Sequence, residues 1–169
     1  QVAGRTQVIV HQGQFYVGVR PEVYVAEAGK PVGVQIVTVD WNSDAFPNQN
    51  VHVVYNDHQW NCAQEQDPST GSNVWTCHVK DTEVASDDVT TDAKGNATSA
   101  FTPPKGGVYQ VKVTGTDAGG RTVTAATYLW VSEPGGYVTW RQDNNDRLVL
   151  VTDRKSYKPG DTAEILIPS

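Results

Sequence analysis

Residues 61–67 read NCAQEQD, a stretch that places a cysteine among closely spaced glutamine and glutamate side chains. An internal thioester joins a cysteine sulfur to the side chain of a glutamine three residues later, in the pattern Cys-X-Glu-Gln. Here Glu65 stands three residues after Cys62, and the glutamines fall at Gln64 and Gln66. A thioester must also be shielded from water, which a polar hairpin does not provide. We therefore expect no thioester in this stretch.

A disulfide between Cys62 and Cys77 is the expected alternative. The segment DPSTGSN between the two extended runs is rich in turn-forming residues and predicts a hairpin. Pairing the strands about the midpoint of the two cysteines places them directly opposite, within disulfide range. Trp60 then shares a face with Cys62, and Trp75 and Val79 share a face with Cys77. Two reduced, unpaired cysteines remain the other possibility, since two cysteines alone do not establish an oxidising compartment.

No metal, cofactor or catalytic site is predicted. A metal site needs three or four convergent ligands, and the spacing of the histidines gives no closed set. Two acidic runs, DTEVASDDV at 81–89 and DNND at 143–146, lack the EF-hand pattern. We expect a solvated turn at the first run and a polar linker at the second. No Ser-His-Asp order, phosphate-binding glycine loop or close carboxylate pair is readable, which predicts a protein that is not an enzyme. The residues concerned are His11, His52, His58, His78, Asp87, Asp88 and the run DNND at 143–146.

Charge and hydropathy narrow the range of partners. The net charge is −6 without a basic patch, which argues against nucleic acid or an anionic membrane as partner. No apolar run approaches the length of about 18 residues that a membrane span needs. The five tryptophans favour packing in a core or between domains over a saccharide platform. They are Trp41, Trp60, Trp75, Trp130 and Trp140.

The elements that position these residues are β-strands. Valine and threonine dominate the composition, turn residues recur every 8–12 residues, and no sustained helical periodicity is present. Strands are predicted near 22–26, 32–40 and 51–56, followed by the hairpin and four more strands separated by turns at 92–95, 103–107 and 117–120. The pattern predicts an all-β antiparallel sandwich over residues 20–133. Residues 1–19 are predicted to be the last strand of a preceding domain or a linker, 134–146 a linker, and 147–169 the opening of another sandwich.

Two segments carry a resemblance to a known family. TDRKSYKPGDTAEI resembles the start signature of a macroglobulin domain, Asp-Lys-x-x-Tyr-x-Pro-Gly, with Arg154 where lysine is more usual. VTTDAKGNATSAFTPPKGGVYQVKVTGTDAGGR resembles the later half of such a domain, and the chain is similar to bacterial alpha-2-macroglobulins over most of its length. The tail also repeats the design of AEAGKPVGVQIVTVD, which suggests tandem sandwiches.

The resemblance implies a structural role in a larger protein. Bacterial alpha-2-macroglobulins are large extracellular or periplasmic proteins of the cell envelope, in which cleavage of a bait segment leads to capture of the protease. This chain is then expected to be an excised fragment that supplies scaffold, with neighbouring macroglobulin domains as its direct partners and target proteases met through the full-length protein. The family's thioester site has no match here. The alternatives are an adhesin-type immunoglobulin-like repeat and a carbohydrate-binding module.

Overall fold

The computed structural model describes residues 9–135, 150–154 and 156–166. In this part of the chain no helix is long and apolar enough to cross a membrane. The described residues form ten β-strands: β1 (Tyr16–Pro21), β2 (Val25–Glu27), β3 (Val32–Val39), β4 (Asn50–Gln66), β5 (Asn73–Thr90), β6 (Asn96–Phe101), β7 (Gly107–Thr116), β8 (Thr122–Ser132), β9 (Val151–Thr152) and β10 (Ile165–Leu166).

Eight of these strands form a sandwich of two sheets. One sheet has three strands in the order β1-β3-β6, and the other has five in the order β2-β8-β7-β4-β5. All pairings are antiparallel except that of β2 with β8, which is parallel. The all-β sandwich predicted from the sequence is confirmed.

The core lies between the two sheets and follows from the alternation of side chains along each strand. Val34 of β3, Val53 of β4 and Val111 of β7 are fully buried. The residues directly before and after each of them in its own strand are exposed or half-buried. Three aromatic rings fill the centre. Phe101 stacks on Tyr55 with 4.4 Å between ring centroids and meets Tyr109 edge-on at 5.3 Å.

A hydrogen-bonded chain crosses the core between the sheets. The Tyr55 hydroxyl donates to Ser99 Oγ at 2.8 Å, and Ser99 donates to Asp87 Oδ2 at 2.7 Å. Burial raises the pKa of Tyr55, which keeps its phenol protonated as the donor of this chain. The polar groups of buried Tyr55 and Ser99 are thereby satisfied by half-buried Asp87 across the sheet interface.

The turns lie where glycine and aspartate predict them. In the turn at 92–95 the Asp92 carboxylate accepts hydrogen bonds from the backbone N–H groups of Lys94 and Asn96. Gly95 has φ 75° and packs so closely on β3 that a Cβ there would lie 2.4 Å from the Thr38 carbonyl oxygen. Glycine is therefore required at this position on two grounds, the backbone conformation and the close approach.

The sandwich begins earlier than residue 20. β1 starts at Tyr16 and pairs along its whole length with β3, so residues 16–19 form part of this sandwich. Phe15 is fully buried and stacks on Phe46 at 5.3 Å. The alternation in FYVGV predicts the end of a preceding unit, because pairing with β3 is a non-local contact that local patterning does not reveal.

Asp117 links the residues just before β1 to the β7–β8 turn through hydrogen bonds. Its buried carboxylate accepts hydrogen bonds from the backbone N–H groups of Gln14, Gly119 and Arg121, and from Arg121 Nε at 2.8 Å. These donors, led by the Arg121 backbone N–H, hold the pKa of Asp117 below its ordinary value of 3.8. The ionised carboxylate therefore stabilises the fold.

Phe101→Ala tests the aromatic centre of the core. Removing the ring leaves a cavity beside Tyr55 and Tyr109, and we expect the free energy of unfolding to fall by about 3–5 kcal/mol. Chemical denaturation measures this change. Thr98→Ala, on the exposed face of the same strand, is the matched control and should stay within about 0.5 kcal/mol of the unsubstituted chain. Equal effects of the two changes would contradict the packing described.

Asp117→Asn tests the turn fastening through its pH dependence. Because the folded-state pKa is lowered, the stabilisation is fully present above about pH 3.8 and is lost as pH falls through the folded-state value. The asparagine variant should therefore be less stable at neutral pH and lose less stability on acidification. Thermal unfolding between pH 2 and pH 7 measures both. Asp44→Asn, an exposed aspartate in the β3–β4 connection, should leave the pH profile unchanged.

Candidate functional site

The long hairpin of β4 and β5 extends beyond the sandwich. β4 pairs with β7 only as far as Asp57, which lies opposite Tyr109. From His58 to Gln66 the described pairing of β4 is with β5 alone. Residues 58–66 and 73–81 thus form a two-stranded ribbon, here called the arm, about 30 Å long at the usual rise per residue.

Asp57 lies where the arm leaves the sheet. Its buried side chain accepts hydrogen bonds from Lys105 Nζ at 2.8 Å and from Gln59 Nε2 at 2.7 Å. The hydrogen bond to Asp57 and its negative charge raise the pKa of Lys105, so this ion pair is intact at neutral pH. The interaction ties the loop before β7 to the base of the arm.

The disulfide closes the arm near its middle. Cys62 and Cys77 are directly opposite in the register, with 4.0 Å between their α-carbons, and they are bonded to each other. The predicted pairing is therefore confirmed. Because the Cys62 sulfur is in a disulfide with Cys77, it is not part of a thioester with the neighbouring glutamines.

One face of the arm is apolar and aromatic. The register places Trp60 opposite Val79 and Trp75 opposite Gln64, with the disulfide between these two pairs. Trp75 is 71% exposed. The opposite face carries Glu65, His78 and Lys80 among its side chains, as the alternation of a strand requires.

His58 connects this face to the body of the sandwich. Its ring is buried, packs edge-on against Trp60 at 5.6 Å and Tyr128 at 5.1 Å, and bonds through Nδ1 to Asp81 at 2.6 Å. Because Tyr128 belongs to β8, the aromatic surface continues from the arm onto the outer face of the five-stranded sheet.

The histidines singled out in the sequence lie apart from one another. His52 Nδ1 bonds to Asp88 at 2.8 Å, His78 Nε2 lies 3.5 Å from Glu65, and His11 Nδ1 bonds to the Tyr16 hydroxyl at 2.7 Å. Among the described residues, no group of three or more potential ligands is close enough to hold a metal ion. Each histidine has its own separate partner.

The acidic run at 81–89 is part of β5, which corrects the expectation of a solvated turn. Asp87 accepts the Ser99 hydrogen bond in the core chain, and Asp88 pairs with His52. The sequence suggested a turn because consecutive acidic residues are uncommon in strands. Pairing of β5 with β4 along the whole segment overrides that preference. The DNND run at 143–146 lies outside the described residues.

None of the described tryptophans lies in the core of this sandwich. Trp41 lies in the β3–β4 connection and is 57% exposed, Trp60 and Trp75 lie on the arm, and Trp130 is half-buried on the outer face of β8. Of the two kinds of packing expected, the core of this sandwich therefore does not account for the first three. Trp140 lies outside the described residues. Packing of these side chains between domains stays a prediction.

A shallow cavity of about 380 Å³ on the outer face of the three-stranded sheet does not resemble an active site. It is lined by Gly18, Arg20, Gln35, Val37 and their neighbours, and Arg20 bonds to Gln35 within it. Arg20 is the only ionisable side chain of this lining. The arm is therefore the most distinctive functional candidate in the described part of the chain.

Comparison with known proteins identifies related sequences and folds. The profile of the family described as bacterial macroglobulin domain 6 matches residues 18–131. A curated alpha-2-macroglobulin homolog from Nostoc sp. is 26% identical over 146 residues, which is 86% of this chain. The chain spans only 8% of that relative's length.

Solved structures show the same fold. The native conformation of E. coli alpha-2-macroglobulin matches with a TM-score of 0.59 and 19% identity over 92% of this chain and 10% of that one. Salmonella alpha-2-macroglobulin reacted with methylamine matches with a TM-score of 0.56 and 17% identity over 93% of this chain and 10% of that one.

Cys62→Ser with Cys77→Ser tests what the disulfide does for the arm. An isolated two-stranded hairpin is marginally stable, and a bridge closing a loop of this size contributes about 3 kcal/mol in the chain-entropy model. We therefore expect hydrogen-exchange protection in the arm to fall by up to roughly a hundredfold, with protection of β3 and β7 unchanged.

The matched control for this change is Asn61→Ser with His78→Ser, the neighbouring opposed pair on the other face of the arm. It should leave protection of the arm close to that of the unsubstituted chain. Loss of protection throughout the sandwich on removing the disulfide would contradict an arm that unfolds separately from the core.

Proposed function

Because the chain belongs to the bacterial macroglobulin domain 6 family, we propose that it is a structural module of a bacterial alpha-2-macroglobulin-like protease-trapping inhibitor. The observation that carries this proposal is the agreement between the family match at 18–131 and the sandwich that β1 to β8 form. Its role in the whole protein is to hold other parts in position. It contributes no catalysis, so the chain is not an enzyme.

The boundaries of the module follow the sequence pattern. We take residues 16–133 as the sandwich, 134–146 as a linker and 147–169 as the opening of the next macroglobulin-like domain. The antiparallel pairing of β9 with β10 supports the last assignment. So does the hydrogen bond that the Tyr157 hydroxyl donates to Asp153, because both residues lie in segment 153–160, which resembles the family's start signature.

The setting of the parent protein is the cell envelope, in the periplasm or outside the cell. The Cys62–Cys77 disulfide supports this location, because such bonds persist in oxidising compartments. The direct partners are the neighbouring macroglobulin domains of the same polypeptide, and target proteases are met through the full-length protein. Neither an adhesin repeat nor a carbohydrate-binding module has comparable support from the family match.

Retention of an active protease by the full-length parent tests the proposal. Trypsin is mixed with the parent and the mixture is separated by size exclusion. Trapping predicts that activity on a small peptide substrate elutes with the parent, whereas activity on a large protein substrate is lost. The 169-residue chain alone should change neither activity. A parent that is merely degraded, or an isolated chain that inhibits trypsin, would contradict the scaffold role.

A further inference from the structure

We propose that the aromatic face of the arm docks onto another domain of the same parent polypeptide, at a surface with an apolar centre and a rim of lysine and arginine. This inference rests on the proposed function, because it requires a parent with further domains. It assigns the arm a specific contact.

The docking face is a continuous stripe rather than a set of scattered side chains. From the tip towards the sandwich it consists of Trp75, the disulfide, Val79, Trp60 and Tyr128, with His58 packed between the last two. Trp75, Val79 and Tyr128 are 71%, 43% and 39% exposed. Contiguous exposed aromatic and aliphatic surface of this kind marks interaction sites in soluble proteins.

Polar side chains predominate on the rest of the outer sheet face. In the half of the five-stranded sheet away from the arm, the outward positions include His52, Lys112, Thr114 and Thr124. Thr114 and Thr124 face each other across β7 and β8, as is usual for a solvated sheet surface. The aromatic character is thus confined to the end of the sheet that continues into the arm.

Charge identifies the chemistry of the partner. Seven acidic residues and a single lysine, Lys80, lie between Asn50 and Thr90, so the β4–β5 hairpin accounts for the whole net charge of −6. Asp81, Glu83 and Asp88 lie on the same side as the stripe. A basic rim around an apolar centre complements this arrangement, and arginine additionally stacks on exposed tryptophan.

The same charge argues against a second copy of this chain as the occupant. Two hairpins docked face to face would bring their acidic residues together, and like charges across an interface are strongly unfavourable. The length of the relatives favours a domain of the same polypeptide, because the matched region is 8% and 10% of two of them. Most of such a parent is tethered to the module at high effective concentration.

Hydroxyl-radical footprinting of the 169-residue chain and of the full-length parent tests the docking. We expect oxidation of Trp75 to fall by about tenfold in the parent, because a 71% exposed ring becomes buried. His78, on the opposite face of the arm, should change little. Protection of Trp75 should weaken at about 1 M salt, where the charge attraction is screened. Equal oxidation of Trp75 in the two proteins would overturn the proposal.

Photo-crosslinking identifies the surface that is contacted. Trp75→p-benzoylphenylalanine in the full-length parent should give a crosslink within one polypeptide, to a segment rich in lysine or arginine. The matched control is the same substitution at Val74, which points to the opposite face and should give no such crosslink. A crosslink between two parent chains, to a separate protein, or to an acidic surface would overturn the proposal.

These outcomes are distinguishable from failure of the proposed function. A parent that retains an active protease but leaves Trp75 as exposed as in the isolated chain would keep the function and lose the docking surface. A parent that does not retain protease but protects Trp75 would keep the docking surface and contradict the proposed function.

Discussion

The register of β4 against β5 and β7 determines both the core of the sandwich and the arrangement of the arm. From Val51 to Asp57 the strand lies between β5 and β7 and contributes Tyr55 to the aromatic centre of the core. Beyond Asp57 its described pairing is with β5 alone, and the same alternation turns Trp60 to the outer face and brings Cys62 opposite Cys77. A slip of one residue would expose the core face and separate the cysteines.

The part of the β4–β5 hairpin inside the sandwich stabilises the fold, and the arm presents the exposed side chains. In the body of the sandwich, burial between two sheets and the Tyr55–Ser99–Asp87 hydrogen bonds stabilise the fold. In the arm there is no second sheet layer among the described residues, and a covalent bond takes the place of a core. This is the same solution that small domains use when they cannot bury enough apolar surface. An arm closed by a disulfide presents its exposed side chains with less loss of conformational freedom on contact than an unbridged hairpin would.

Local pattern was sufficient to predict most of the sandwich strands, the turns at 92–95 and 117–120, and the disulfide, because each depends on nearby residues. It was insufficient where a distant strand decides the outcome. Residues 16–19 belong to the sandwich only because β3 pairs with them, and the acidic run around Asp87 is a strand only because β4 does. The aromatic stripe depends on contact between His58 and Tyr128, which are 70 positions apart in the sequence. Alternation within one strand carries no information about that contact.

This sandwich is one module of a bacterial macroglobulin, and its neighbours in the parent should be of the same kind. The most direct measurement is to sequence the parent gene on both sides of the segment that encodes it. We expect further macroglobulin-type sandwiches, with a downstream helical region that carries Cys-X-Glu-Gln where the protein captures proteases covalently. Flanking regions that encode only a repeated array of sandwiches ending in a surface anchor would contradict it and favour an adhesin.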